Sequence, residues 1–182
     1  AAMNGIPVLG VYAALCRHEG RPFSFPGGPS YVWQAVDARI VAAALEWAAT
    51  APQAAGETFN VTNGDVAEWR NLWPAIADAV GLEAGPEERQ ELGSLLPSKA
   101  DVWDDIVRSS GLRPIPLTEI LGESHHAMDY GMATGARRPP PPVIVSTVKL
   151  RQAGFGDCLD TEDMFRHWLA DLVRRGILPP PD

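Results

Sequence analysis

Only two cysteines occur in 182 residues, Cys16 and Cys158, and they form no CxxC pair. That excludes a disulfide-stapled scaffold and points to a reducing compartment. No window is strongly basic: Arg137-Arg138 and Arg174-Arg175 are isolated pairs in a chain of net charge −8. Nucleic acid is not an expected partner, because binding it begins with phosphate neutralisation. No apolar run is long enough to span a bilayer, and the opening residues are not a signal peptide. A cytoplasmic location without a membrane partner is therefore expected, by elimination.

Catalytic signatures are missing too. No GxGxxG or GxxGxxG follows a strand pattern, and no P-loop or GxSxG elbow occurs. Gly27-Gly28 is followed by Pro29 and by no helix, so it reads as a turn. A Tyr-x-x-x-Lys pair would set a lysine one helical turn beyond a phenol and lower its pKa for proton transfer. The fourth residue after Tyr12, Tyr31 and Tyr130 is Cys16, Ala35 and Thr134, so no such pair exists. Neither a cofactor-binding residue nor a catalytic residue is identified. His125-His126 with Asp129 could bring an imidazole and a carboxylate to one helical face. A metal centre needs a third ligand and fixed support. The cluster reads as a polar helix start beside a cleft, and no metal is expected.

What is present centres on residues 57–80, ETFNVTNGDVAEWRNLWPAIADAV. Residues 58–61 read as a β-strand, Asn63-Gly64 as a tight turn and Asp65 as a helix cap. Val66, Trp69, Trp73, Ile76 and Val80 then recur at helical spacing, with a kink or restart expected at Pro74. Strand, turn and helix make half of a βαβ unit. Before it, a helix is expected over residues 6–19, with Gly10 admitting another backbone and Gly20 closing it. Residues 22–26, flanked by prolines, read as an edge strand, and residues 30–36 as a second extended piece. Asp37 caps a helix with Ile40, Val41, Ala44, Leu45 and Ala48 turned inward.

Residues 86–96 are acidic and helix-prone, and Ser98-x-x-Asp101 resembles a capping box before Trp103 and Ile106. Short helices are expected near residues 117–121, 125–134 and 146–153, with a polyproline connection at 139–142. Asp160 caps the last helix, whose stripe is Phe165, Trp168, Leu169, Leu172 and Val173. The tryptophans read as core rather than as a ligand platform. A single helix-rich α/β unit over residues 1–182 is the expected organisation.

The order of motifs carries a resemblance. VYAALCRHEGRPFSFPG, the helix ending LEWAA, ETFNVTNGDVAEWRNLW, VWDDIV and RQAGFGDCLDTEDMFRHWLADLVRRGILP are similar to one group of extended short-chain dehydrogenase/reductases. The chain is similar to the C-terminal half of the progesterone 5β-reductase and iridoid synthase-like enzymes. The resemblance implies a late strand of a Rossmann-type sheet followed by a mostly helical substrate lobe. It implies an NADPH- or NADH-dependent reductase of conjugated carbonyl compounds, with hydride delivered to the β-carbon of an enone. The family's glycine-rich loop, Tyr and Lys would lie in an N-terminal half that this chain lacks. The chain alone is then expected to bind no cofactor and to be inactive.

By the same resemblance, Met3 and Asn4 could touch substrate or cofactor. His125 and Met128 would sit in a segment where relatives place an aromatic-rich wall of the pocket. The expected partners are an enone and either the missing half or a second copy of the chain, engaged through the open edge of residues 58–61. A non-catalytic interaction module is the alternative. Each buried unpaired backbone group on that edge would cost about 1–3 kcal/mol, against a net stability of about 5–15 kcal/mol.

Overall fold

The structure is a computed structural model that describes residues 4–181. Helix α1 (Gly5–His18) opens where the Asn4 side chain accepts a hydrogen bond from the amide of Ile6, 3.1 Å away. It ends ahead of Gly20, whose φ of +61° reverses the chain where a Cβ would be strained. Eight further α-helices follow among the described residues: α2 (Ala38–Thr50), α3 (Trp69–Ala79), α4 (Leu92–Leu95), α5 (Ala100–Ser109), α6 (Leu117–Leu121), α7 (Ser124–Gly131), α8 (Val148–Gln152) and α9 (Thr161–Arg174). Among those residues β structure is confined to isolated bridges, Phe23 with Ala84 and Trp33 with both Ala67 and Val143.

The chain divides into two compact units. Unit 1 comprises Ala1–Ser30, Trp69–Pro140 and Phe165–Asp182. Its interior is aromatic. Phe23 stacks on Trp73 at 4.5 Å between ring centroids, Tyr12 leans on both, and Phe25 meets Trp73 edge-on. The polar tips are satisfied: the Trp73 indole donates to the Phe23 carbonyl at 3.0 Å, and the Tyr12 hydroxyl to the Ser24 carbonyl at 3.1 Å. Buried rings of this kind supply both apolar area and a geometric preference. Burial pushes the Tyr12 phenol well above its usual range, and it also raises the Cys16 thiol one turn on.

Unit 2 comprises Tyr31–Glu68 and Pro141–Met164. Its apolar cluster is small, with Ile40, Ala44, Leu150 and Phe155 at the centre and Trp47, Phe59 and Val61 against them. A polar knot lies beside it in sequence. Asn63 is fully buried; its Oδ1 accepts from the Asp37 amide at 2.7 Å and its Nδ2 donates to Thr161 Oγ1 at 3.2 Å. Asp65 accepts from the Thr161 amide at 2.8 Å and from the Thr161 hydroxyl at 2.7 Å.

Several expectations change here. Asp65 does not cap α3, which starts four residues later; its carboxylate holds the first amide of α9, while Asp160 accepts from Asp163 as predicted. Val66 consequently stays 61% exposed. Helix α3 runs unbroken through Pro74. In α2 the Asp37 cap forms, accepting from the Arg39 amide at 2.7 Å. Leu45 is nevertheless exposed, and Trp47 takes the inward role. Ser98 does not cap α5; its hydroxyl turns back to the Leu95 carbonyl.

Residues 86–90 are not helical, because the amides of Glu88 and Gln90 serve the carbonyls of Phe25 and Pro26. A Cβ at Gly10 would overlap the Leu178 side chain, so a side chain and not a backbone fills that gap. Residues 58–61 have no ladder partner among the described residues. Thr58 and Asn60 are exposed, and the Thr58 carbonyl accepts from Lys149 Nζ at 3.1 Å, while Phe59 and Val61 are half-buried against the apolar cluster.

Candidate functional site

Helix α7 and the mouth of α1 make the site, and both belong to unit 1. The Asn4 amide donates to Ser124 Oγ at 3.1 Å, across 120 residues of sequence. One residue on, Gly5 lies under Met128: a Cβ there would overlap the Met128 sulfur and come within 3.3 Å of its Cε. His125 and Met128 are three residues apart on α7, share a face, and are each 7% exposed. The structure thus gathers Asn4, His125 and Met128. Met3 lies outside the described residues.

The adjoining side of α7 is committed to structure. Asp129 accepts from the amides of Leu92 and Gly93 at 2.8 and 2.7 Å, which fixes the opening of α4. His126 lies against Gly93, where a Cβ would meet its Nδ1 at 2.6 Å. The imidazoles of His125 and His126 are 4.2 Å apart. With Asp129 taken by backbone amides, the trio is no ligand set, and the described residues contain no group of three potential metal ligands.

His125 carries the unusual electrostatics. Its Nδ1 is buried with no hydrogen-bond partner among the described residues. Burial, then the neighbouring His126, pushes its pKa below the ordinary histidine value, so the ring is neutral at neutral pH. Such a ring offers one donor nitrogen and one acceptor nitrogen.

The Gly27-Gly28 loop does not form a dinucleotide cradle. The pyrophosphate of a dinucleotide needs backbone amides free to approach it at a glycine-rich helix start. The Gly28 amide donates instead to the Met132 carbonyl at 2.9 Å, and a Cβ there would strike the Ala133 carbonyl. Tyr12 is sealed in the aromatic core and Tyr130 is 90% exposed, so neither phenol stands at α7's buried face.

No protein-family profile matches the chain. Individual relatives do. The chain is 39% identical over 186 residues to an (S)-8-oxocitronellyl enol synthase of Nepeta cataria, covering 97% of this chain and 45% of that one. It is 39% identical over 124 residues to the enzyme of the same name from Antirrhinum majus, covering 65% and 32%. Against the 3-oxo-Δ(4,5)-steroid 5-β-reductase of Arabidopsis thaliana the figure is 38% over 125 residues, covering 65% and 32%. The chain belongs to the progesterone 5β-reductase and iridoid synthase-like family. The matches span 32% to 45% of the length of these curated relatives.

For a member of this family, the residues that sequence reasoning missed are supporting ones. Gly5 lets α7 close onto α1, and Ser124 ties the two together. A glycine immediately after a capping asparagine was the available signal for Gly5. Ser124 had none, since its partner is remote in sequence. No helix among the described residues is long and apolar enough to cross a membrane.

Proposed function

We propose that this chain forms the substrate-binding part of an NAD(P)H-dependent reductase of conjugated enones, in which hydride reaches the β-carbon. The buried face of α7, with Asn4, is the wall against which the substrate lies. One arrangement supports this reading: the Asn4–Ser124 hydrogen bond and the Gly5–Met128 contact set α7 on the segment that the family resemblance offers to substrate or cofactor. The relatives' names supply the substrate class, a citronellyl enol synthesis in one case and a 3-oxo-Δ(4,5)-steroid reduction in the other. Cofactor binding and the proton-donating Tyr are assigned to a part of the enzyme outside this chain. Residues 58–61 would then be a late strand of that enzyme's sheet.

The test is Met128→Trp in a complete enzyme that contains this chain. Filling the wall with an aromatic ring should change relative kcat/KM across a panel of linear, monocyclic and steroidal enones by about tenfold or more, the scale of a small steric change in a pocket. Selectivity that does not move would sink the placement. NADPH titration should show no binding to the chain alone and recovery once the matching N-terminal half is added.

A second reading, a non-catalytic module that self-associates, draws on residues 58–61, which lack a ladder, and on the exposed Val143, Ile144, Val145 and Val148. Charge weighs against it. Unit 2 carries nine acidic residues against three basic ones, so two copies of that surface would repel. Sedimentation at low and high salt separates the readings: a dimer strengthened by salt would favour the second.

A further inference from the structure

Two asparagines in this chain precede a glycine, Asn4-Gly5 and Asn63-Gly64. This pair is prone to modify itself, because a residue without a Cβ lets its amide nitrogen swing onto the neighbouring side-chain carbonyl carbon. The Gly nitrogen bonds to the Asn Cγ and gives up its proton, and the side-chain nitrogen leaves as ammonia. Water then opens the resulting succinimide to aspartate or isoaspartate. Nothing is oxidised or reduced.

The fold treats the two sites differently. Asn4 is exposed. Asn63 is fully buried, and its polar groups are engaged within unit 2. Its amide donates to the Ala35 carbonyl and its carbonyl accepts from the Leu159 amide, both at 2.9 Å. Oδ1 accepts from the Asp37 amide, while Nδ2 donates to Thr161 Oγ1 at 3.2 Å and to Met164 Sδ at 3.5 Å. The attacking nitrogen is engaged as well, since the Gly64 amide donates to Thr62 Oγ1 at 3.3 Å. Ring closure therefore requires the knot to open.

The products do not fit back. An aspartate is acceptor-only where Nδ2 was a donor. Thr161 has one hydroxyl proton and already gives it to Asp65 at 2.7 Å, so two carboxylates would face one donor. Isoaspartate reroutes the main chain through Cγ, and the carbonyl that accepts from Leu159 becomes a side-chain carboxylate. We propose that Asn63-Gly64 is a self-modification site gated by unit 2. The closed knot protects it, each opening exposes it to deamidation, and deamidation prevents the knot from re-forming.

The test follows both sites in the full 182-residue chain, aged at neutral pH either folded or in urea, by peptide mass spectrometry with isoaspartate detection. In urea the two should convert at rates within about threefold, since glycine follows both. Folding should slow Asn63 by about a hundredfold or more, as set by the population of the opened knot. Asp65→Ala should return about tenfold of that and leave the rate in urea unchanged. Conversion of Asn63 as fast in the folded chain as in urea overturns the gating.

The second half of the proposal is read on refolding the unsubstituted chain after partial conversion in urea. The folded pool should be depleted about tenfold or more in converted Asn63 relative to the pool that stays unfolded. Asn4 should be converted alike in both pools, because aspartate caps a helix as well as asparagine does. Equal conversion of Asn63 in the two pools overturns the claim that the product cannot refold. Asn63→Asp prepared directly should lose hydrogen-exchange protection in residues 31–68 and 141–164, and unchanged protection there refutes it too.

Discussion

In unit 1 the interior is a set of stacked rings whose polar tips find carbonyls nearby; in unit 2 it is four apolar side chains with a buried asparagine and two carboxylates beside them in sequence. The surfaces differ in the same sense. Of the eight large apolar side chains exposed among the described residues, only Tyr130 belongs to unit 1. Ring packing is tolerant of small shifts and scales with buried area. A polar knot gives little net stability per bond but is costly to break, because each loss strands a desolvated partner. Helices are therefore held by different physics in the two places.

Substitutions that strike one mechanism at a time can break this comparison. Trp73→Ala in unit 1 should be the most damaging, about 3–5 kcal/mol in urea unfolding, since it removes the stack on Phe23 and opens a cavity. A loss under about 1.5 kcal/mol would mean that the rings are not the main support. Asn63→Ala in unit 2 should cost about 1–3 kcal/mol by stranding the buried Asp37 amide, while the Thr161 hydroxyl keeps its bond to Asp65. Hydrogen exchange should locate its largest loss of protection within residues 31–68 and 141–164.

Gly5→Ala should cost about 1–3 kcal/mol through overlap with Met128, and Met128→Ala in the same molecule should return much of it. Additive losses in that double mutant would contradict the close approach of α1 and α7. The smallest effect concerns Glu19, whose carboxyl is held below its ordinary value by the Lys99 hydrogen bond first, with Arg21 adding to it. A depressed folded pKa stabilises above the unfolded value of 4.5 and the gain is lost as pH falls through the folded value. Lys99→Met should cost under about 1 kcal/mol at neutral pH and flatten the acid limb of stability below about pH 4.5.

What the sequence made legible was mostly local. Asp37 capping α2 acts two residues ahead, and Gly20 and Gly64 both take the positive φ that a chain reversal or tight turn requires. The pairing of His125 with Met128 is a three-residue helical spacing. Asp65 misled because a carboxylate before a helical pattern is a cap for whichever amide comes near, and the nearer one in space lies 96 residues away. Leu45 misled because α2 has more apolar residues than unit 2 has interior to receive them. The support under α7 was hidden for the same reason as Asp65. Asn4 is a strong capping residue by type, yet nothing local announces that its amide will meet Ser124.

The Asp65–Thr161 link also has a kinetic meaning. The first amide of α9, at Thr161, cannot reach Asp65 until the chain around Asn63 has already bent into place, so a loop of nearly a hundred residues must close first. The Thr161 amide is thus expected to acquire protection late during refolding, after the remainder of its own helix has become slow to exchange. A pulse-labelling experiment would see that lag, and Asp65→Ala would remove the distinction by leaving the turn frayed throughout.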